Sequence, residues 1–236
     1  MARLDSALVV WDVDGTLIPA DLRWLRRAVS RTYGLEEEAV VFPTRRVHGY
    51  TDESIAVDTA ISSGIDATVA EDGIARFAQV LAQVMDDGRG ELAREQPAYP
   101  GAADAIAALH AAGAVQTVLT GNLRQAAEVK LATAGLDALL DLEIGGYGSD
   151  ARDRFELPAV VSRRFAAKFG RPLVPGHAVV IGDAPNDIAC ARHAGFRVVA
   201  VTHRLSREEL APHGPDAIVE SLDARHLVDV VASLAA

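Results

Sequence analysis

The chain has 236 residues, half of them hydrophobic, with 33 acidic against 23 basic residues and a formal net charge of -10 at pH 7. That balance excludes a general attraction to nucleic acid or to an anionic membrane surface, so an anionic ligand needs a local positive field. A single cysteine, Cys190, excludes an intrachain disulfide framework and a thiolate metal cluster. In Ile188-Ala189-Cys190-Ala191 it reads as a small core hydrophobe. Lys130 and Lys168 are the only lysines, so any lysine-dependent chemistry has two candidates. No charged segment leads into a long apolar run at the N-terminus, and no stretch approaches a membrane span. The expectation is a cytoplasmic protein with no membrane or nucleic-acid partner and with no oligomeric state readable from its sequence.

In chain order, the stretch from Leu8 to Leu17 opens on an apolar, β-branched run that ends in two carboxylates, Asp12 and Asp14, and reads as a buried strand with Gly15 and Thr16 as its exit. Ala20 to Tyr33 carries apolar residues at three- and four-residue spacing, an amphipathic helix stopped by Gly34. Thr51-Asp52-Glu53-Ser54 opens a helix that Gly64 ends, and Ala67 to Met85 reads as one further helix broken by Asp86-Asp87-Gly88-Arg89-Gly90. No strand pattern occurs between Ala20 and that break. Strand and helix then alternate: a helix over Ala102 to Ala112, a strand over Ala114 to Leu119, and a helix over Leu123 to Ala134. A strand over Leu139 to Ile144 and a flexible loop over Gly145 to Ser149 follow, then a helix over Leu157 to Phe169. A strand over Ala178 to Asp183 leads to a helix that Pro185 starts and that runs from Asn186 to Ala194. Arg197 to Val201, a helix near Ser206 to Leu210, Ala217 to Val219 and a helix over Ala224 to Leu234 complete the pattern. Such alternation predicts an α/β fold, a doubly wound, Rossmann-like parallel sheet. The predicted core is 1–18 plus 98–236, with a helical insert at 19–97.

Three of these strands end in polar residues unlike their bodies: Asp12 and Asp14, then Thr120-Gly121-Asn122, then Asp183 with Asp187 behind it. Each alone reads equally as a turn or a helix cap. Together they stand where open parallel sheets bind ligands. Alternate residues of a strand share a face, so Asp12 and Asp14 point the same way. Carboxylates such as Asp12 and Asp183 are hard oxygen ligands suited to Mg²⁺. Thr120, Gly121 and Asn122 precede a helix and can hold phosphate oxygens. One aspartate could attack phosphorus while the other moves the proton. Trp11 and Trp24 read as packing residues.

Asp12-Val13-Asp14-Gly15-Thr16-Leu17, Leu119-Thr120-Gly121-Asn122 and Ile181-Gly182-Asp183-Ala184-Pro185-Asn186-Asp187 together resemble the haloacid dehalogenase superfamily, and within it phosphatases similar to phosphoglycolate phosphatase. The resemblance implies that the helical insert is a small cap. It implies Asp12 as nucleophile, Asp14 as general acid/base and Thr120 as the phosphate-binding hydroxyl. It also implies Mg²⁺ held by Asp12, the Asp14 carbonyl and Asp183, with Asp187 in support. The expected activity is Mg²⁺-dependent hydrolysis of a small phosphorylated metabolite through an aspartyl-phosphate. A phosphosugar mutase of the same fold and a non-catalytic binding protein are the alternatives; a dehalogenase is disfavoured because Asp14 is present.

Two departures stand out. The family usually places a lysine between its second and third motifs, yet Lys130 lies deep in the helix after Asn122 and Lys168 lies late in the helix before the Asp183 strand. Arg154 is expected to replace it, with Arg152 as second choice; arginine keeps the charge in a different geometry. In the insert, Arg45-Arg46-Val47-His48-Gly49-Tyr50-Thr51-Asp52 resembles a substrate-facing cap loop where relatives often carry Gly-Arg-Thr-Asp, with Tyr50 at the arginine position. Arg45, Arg46, His48 and Tyr50 are the substrate-binding candidates there, and the same basic cluster reads also as a solvated face.

Overall fold

Leu8-Val9-Val10-Trp11 forms strand β1, and all four residues are wholly buried, as expected of a strand covered on both faces. The structure is a computed structural model that describes residues 3–44 and 50–235. Strands β2 (Val115–Thr120), β3 (Gly146–Tyr147), β4 (Ala178–Gly182), β5 (Arg197–Val201) and β6 (Ala217–Val219) join it in one parallel sheet of order β3-β2-β1-β4-β5-β6. Trp11 pairs with Val118 on one side and Ile181 on the other, so β1 is central. From β1 the chain builds outward to β3 and then returns to β4 on the opposite side. The C-terminal end of β1 is therefore the point where strand order reverses, the usual ligand crevice of such sheets.

Between β1 and β2 the described residues form helices α1 (Arg23–Tyr33), α2 (Asp52–Ser62), α3 (Ala67–Asp72), α4 (Ile74–Asp87), α5 (Arg89–Glu95) and α6 (Ala102–Ala111). Beyond β2 come α7 (Arg124–Thr133), α8 (Leu157–Phe169), α9 (Pro185–His193), α10 (Arg207–Leu210) and α11 (Ala224–Leu234). The period of two along β1 divides the core. Val9 and Trp11 pack with residues of α6, α7 and α11, whereas Leu8 and Val10 pack with residues of α8 and α9. Helices α1 to α5 have a hydrophobic cluster of their own, built on Trp24, Leu25, Phe77, Leu81 and Met85, and they share it with Ala126 and Val129 of α7. Burying each of the larger side chains contributes about 1.5–3 kcal/mol, enough to seat these helices on α7.

The structure corrects several sequence readings. The helix expected over Ala67 to Met85 is two, parted at Gly73, where a Cβ would lie 2.5 Å from the Tyr33 ring. The break expected over Asp86-Asp87-Gly88-Arg89-Gly90 is a turn at Gly88 alone, with α4 running through Asp87 and α5 starting at Arg89. Leu139 to Ile144 is not a strand: Asp137–Leu139 is a 3-10 turn, and the residues after it pass the sheet edge with single bonds such as Asp141 N–H to Gln116 C=O, 2.7 Å. Leu140, Leu142 and Ile144 alternate with Asp141 and Glu143 as one face of a strand would, yet Leu140 and Ile144 are buried in clusters on opposite faces of the sheet, which no strand permits at that spacing. The edge strand lies instead at Gly146–Tyr147, in the segment expected to be a flexible loop. Tyr147 is wholly buried there and donates its hydroxyl to Leu142 C=O at 2.6 Å. Cys190 is a core residue as expected, with burial pushing its thiol up to about 12. No described helix is long and apolar enough to cross a membrane.

Candidate active site

Asp12 follows β1 directly and extends its ladder, its N–H donating to Ile181 C=O at 2.9 Å. The chain then turns tightly through Gly15, whose N–H reaches Ile18 C=O at 2.7 Å. Gly15 has φ +95°, and a Cβ there would lie 2.6 Å from the Asp183 carboxylate. Glycine is thus required both by conformation and by the approach of the β4 loop. Gly15→Ala is expected to destabilise the fold by about 1–3 kcal/mol and to displace Asp183, read as a lower urea midpoint.

Asp12, Asp183 and Asp187 converge: one carboxylate oxygen from each lies within 4.8 Å of the others, and all three residues are buried. Burial and the neighbouring Asp187 charge push Asp12 well above the usual carboxylate range, against the pull of Arg154. The same two causes raise Asp183 to about 7. Such a concentration of negative charge demands cations. Arg154 supplies one. Its Nη2 donates to Asp12 Oδ1 at 2.9 Å, to Asp187 Oδ1 at 2.5 Å and to Leu119 C=O at 3.3 Å. Burial opposes the guanidinium charge, but Asp187 and Asp12 outweigh it and raise its pKa.

A divalent cation fits the remainder of the cluster. Asp183 Oδ2 is buried and makes no hydrogen bond to a described residue, with Arg204 Nη1 3.4 Å away. Thr16 Oγ1 contacts Asp12 Oδ2 and Asp183 Oδ1 only loosely, at 3.3 and 3.4 Å. Asp187 is the most committed of the three, because its Oδ2 accepts the N–H groups of Asp183 and Ala184 at 3.1 and 2.9 Å while Oδ1 holds Arg154. Asp12 and Asp183 therefore have the oxygens best placed to hold a hard cation, with Asp187 fixing the loop that carries Asp183.

A second polar network lies on the other side of the cleft. Asp14 Oδ2 accepts from Lys130 Nζ at 2.5 Å and from Asn122 Nδ2 at 2.9 Å, whereas Asp14 Oδ1 is buried with no hydrogen bond to a described residue. Asn122 Oδ1 accepts from Lys130 Nζ at 3.2 Å. Asp52, at the start of α2, accepts from Asn122 Nδ2 at 3.2 Å and from Leu123 N–H at 2.9 Å, while its own N–H donates to Gly121 C=O at 2.8 Å. Burial raises Asp52 to about 6 despite the Lys130 charge.

Of the residues singled out by sequence, Asp12, Asp14, Thr120, Gly121, Asn122, Arg154, Asp183 and Asp187 line one cleft together with Tyr50. Thr120 is buried and its Oγ1 accepts from Asn122 N–H at 3.2 Å, so its own O–H is left to donate. Arg152 is elsewhere, half-exposed and paired to Glu71 Oε2 at 2.6 Å. Arg45, Arg46 and His48 lie outside the described residues. Sequence reasoning passed over Lys130 because it sits about two helical turns beyond Asn122, although α7 brings it back to the side of the helix that meets Asn122 in the preceding turn. It read Asp52 as part of a helix start and as the last residue of the cap loop but gave it no role of its own, whereas Thr51 supplies the cap and Asp52 reaches across to Leu123. Thr16 stood in the first motif and at the strand exit without a role of its own, and Arg204 carried no sequence signal.

Residues 9–192 match the haloacid dehalogenase-like hydrolase family. The chain is 30% identical to a phosphoglycolate phosphatase of Rhodospirillum rubrum over 90% of its own length and 86% of that protein's. A phosphoglycolate phosphatase of Caulobacter vibrioides is 26% identical over 92% and 88% of the two chains. Among solved structures, a predicted phosphoglycolate phosphatase from Haemophilus somnus 129PT superposes with a TM-score of 0.66 at 22% identity, covering 96% of this chain and 99% of that one. The CbbY protein of Rhodobacter sphaeroides, in complex with xylulose-1,5-bisphosphate, gives 0.65 at 20% identity, with 92% and 94% covered. With the sheet order, the carboxylates at its switch point and these likenesses in agreement, the chain belongs to the haloacid dehalogenase-like hydrolases and is similar within them to phosphoglycolate phosphatases.

Proposed function

We propose that this hydrolase is a phosphatase that removes phosphate from a small phosphorylated metabolite, a phosphoglycolate-like monoester, through an aspartyl-phosphate on Asp12, with Mg²⁺ as its cofactor. The observation that carries the reading is the inequality of the two carboxylates. Asp12 lies among Arg154, Thr16 and the acidic cluster, whereas Asp14 is held through one oxygen and keeps the other unbonded.

In the first step an Asp12 carboxylate oxygen forms a bond to phosphorus, the ester P–O bond breaks, and a proton on Asp14 Oδ1 passes to the departing alkoxide. In the second step Asp14 takes a proton from water, the water oxygen bonds to phosphorus and the Asp12–phosphorus link breaks, restoring the Asp12 carboxylate and the Asp14 carboxylic acid and releasing phosphate. Thr120 donates its hydroxyl to a phosphoryl oxygen, and the N-terminus of α7 favours the same anion. Arg154 balances the charge of Asp12. Asp12 and Asp183 would hold Mg²⁺, the Asp14 carbonyl would complete the protein's ligands, and the ion when bound supplies charge stabilisation at the phosphoryl group.

The segment 19–97 we read as a cap over the core of 1–18 and 98–236. Leu22, Leu25, Ile55, Leu81 and Met85 bring an apolar wall from it to the cleft, which excludes water from the phosphoryl group. Tyr50 lines the same cleft, and Arg45, Arg46 and His48 are proposed to meet the substrate's remaining polar group.

A phosphate-release screen over phosphorylated metabolites, with and without Mg²⁺, tests the reading. Release of free phosphate is expected only with the metal, and chelation is expected to lower it by about 10²-fold or more. An isomerised phosphosugar in place of free phosphate would instead identify a mutase, and no turnover across the panel would leave a binding protein.

A further inference from the structure

Lys130 is 5% exposed, and a buried ammonium persists only where it is paired. Its described partners are Asp14 Oδ2 and Asn122 Oδ1. Asn122 turns its amide nitrogen to Asp14 Oδ2 and to Asp52 Oδ1, and Asp52 is pinned to the backbone of Gly121 and Leu123. Two side chains, Lys130 and Asn122, thus close on one oxygen of Asp14, and Asp52, from a third part of the chain, holds the second of them. Two donors fixed on Oδ2 prevent rotation of the carboxylate and leave Oδ1 as its only unbonded oxygen. No atom of Lys130, Asn122 or Asp52 is within hydrogen-bond reach of Asp12 among the described contacts, so the network acts on one carboxylate and not on the other.

We propose that Lys130 is a positioning residue for Asp14, and that Asp52, by orienting the Asn122 amide, makes the aim of Asp14 depend on the seating of helix α2 against the Gly121–Leu123 turn. The inference rests on the phosphatase reading, in which Asp14 hands a proton to the leaving group. Loss of aim therefore penalises substrates in proportion to their need for that proton. An alkoxide leaves only if it is protonated; p-nitrophenolate leaves without help.

The test compares kcat/KM, which reports the steps up to departure of the leaving group, for p-nitrophenyl phosphate and for an unactivated alkyl ester: phosphoglycolate, or another alkyl monoester from the same panel if that one is not turned over. Lys130→Met is expected to lower kcat/KM for the alkyl ester by about 10²-fold and for the aryl ester several-fold at most, with Lys130→Arg recovering part of the difference. Asp52→Asn is expected to show the same selectivity more weakly. Equal losses on both esters in Lys130→Met, with an unchanged Tm, would overturn the proposal. If Lys130→Met does not fold, Asp52→Asn decides alone, and equal losses there overturn it. Wild-type protein that releases phosphate from neither ester removes the phosphatase reading itself; an active wild type with unselective variants removes only the role of Lys130 and Asp52.

Discussion

Asp12→Asn is expected to lower phosphate release by on the order of 10⁴-fold or more while leaving the fold intact. Asparagine has nearly the shape of aspartate but cannot supply the anionic oxygen that attacks phosphorus, so the loss falls on kcat for every ester, activated or not. The variant is not expected to unfold. Arg154 keeps Asp187 and the Leu119 carbonyl as partners. Asp12 is also expensive to bury as an anion, since burial and the charge of Asp187 raise its pKa. A carboxyl raised in the folded state contributes stability below its unfolded pKa and loses it as pH rises through the folded value. At neutral pH without metal, the wild-type protein therefore carries a penalty that the amide avoids. Urea midpoints of the metal-free proteins should show Asp12→Asn equal to or more stable than wild type at pH 7, with the advantage shrinking toward pH 4. Retention of Mg²⁺-dependent phosphate release by this variant would refute Asp12 as the nucleophile.

The sequence exposed whatever depends on local pattern. β1, β4 and the helices after them are legible because continuous apolar runs ending in Asp, Gly or Thr can be read in a window of a few residues. Asp183, with Asp187 behind it, comes to Asp12 from such an end, whereas Arg154 was reached only through the lysine that the resemblance leads one to expect. What escaped depends on contacts between segments. β3 is a strand only because Leu119 and Thr120 lie beside Gly146 and Tyr147, and nothing in a two-residue pattern announces that pairing. Gly73 divides a helix because Tyr33 from α1 occupies the space of its missing side chain. Lys130 was set aside on its distance from the start of α7, although a helix returns to one face every three to four residues. Asp52 is the clearest case. Its position in the first turn of α2 is an ordinary acidic one, and only the docking of α2 on the turn before α7 turns it toward Leu123.

Arg154 offers the second large effect, and its geometry explains how arginine can serve where relatives often use lysine. A single nitrogen, Nη2, makes all three of its bonds to described residues, Asp12, Asp187 and Leu119, while Nε is buried without a hydrogen bond to a described residue. The guanidinium is thus employed as a point charge and not as a fork, which is the manner of a lysine ammonium. Arg154→Met leaves Asp12 and Asp187 buried without their cation, and breaking a buried pair in this way costs about 3–5 kcal/mol at neutral pH. Activity should fall below detection, because an uncompensated cluster repels the phosphate dianion. Bound Mg²⁺ should restore part of the stability through its preference for the folded state. Acidification should restore part as well: Asp12, already raised by burial, takes up a proton and one of the two unpaired charges disappears. Arg154→Lys should instead retain most of the stability and measurable turnover. Urea unfolding at pH 7 and pH 5, with and without Mg²⁺, separates the two variants. A lysine variant as unstable as the methionine one would show that the planar guanidinium, and not its charge, holds the cluster together.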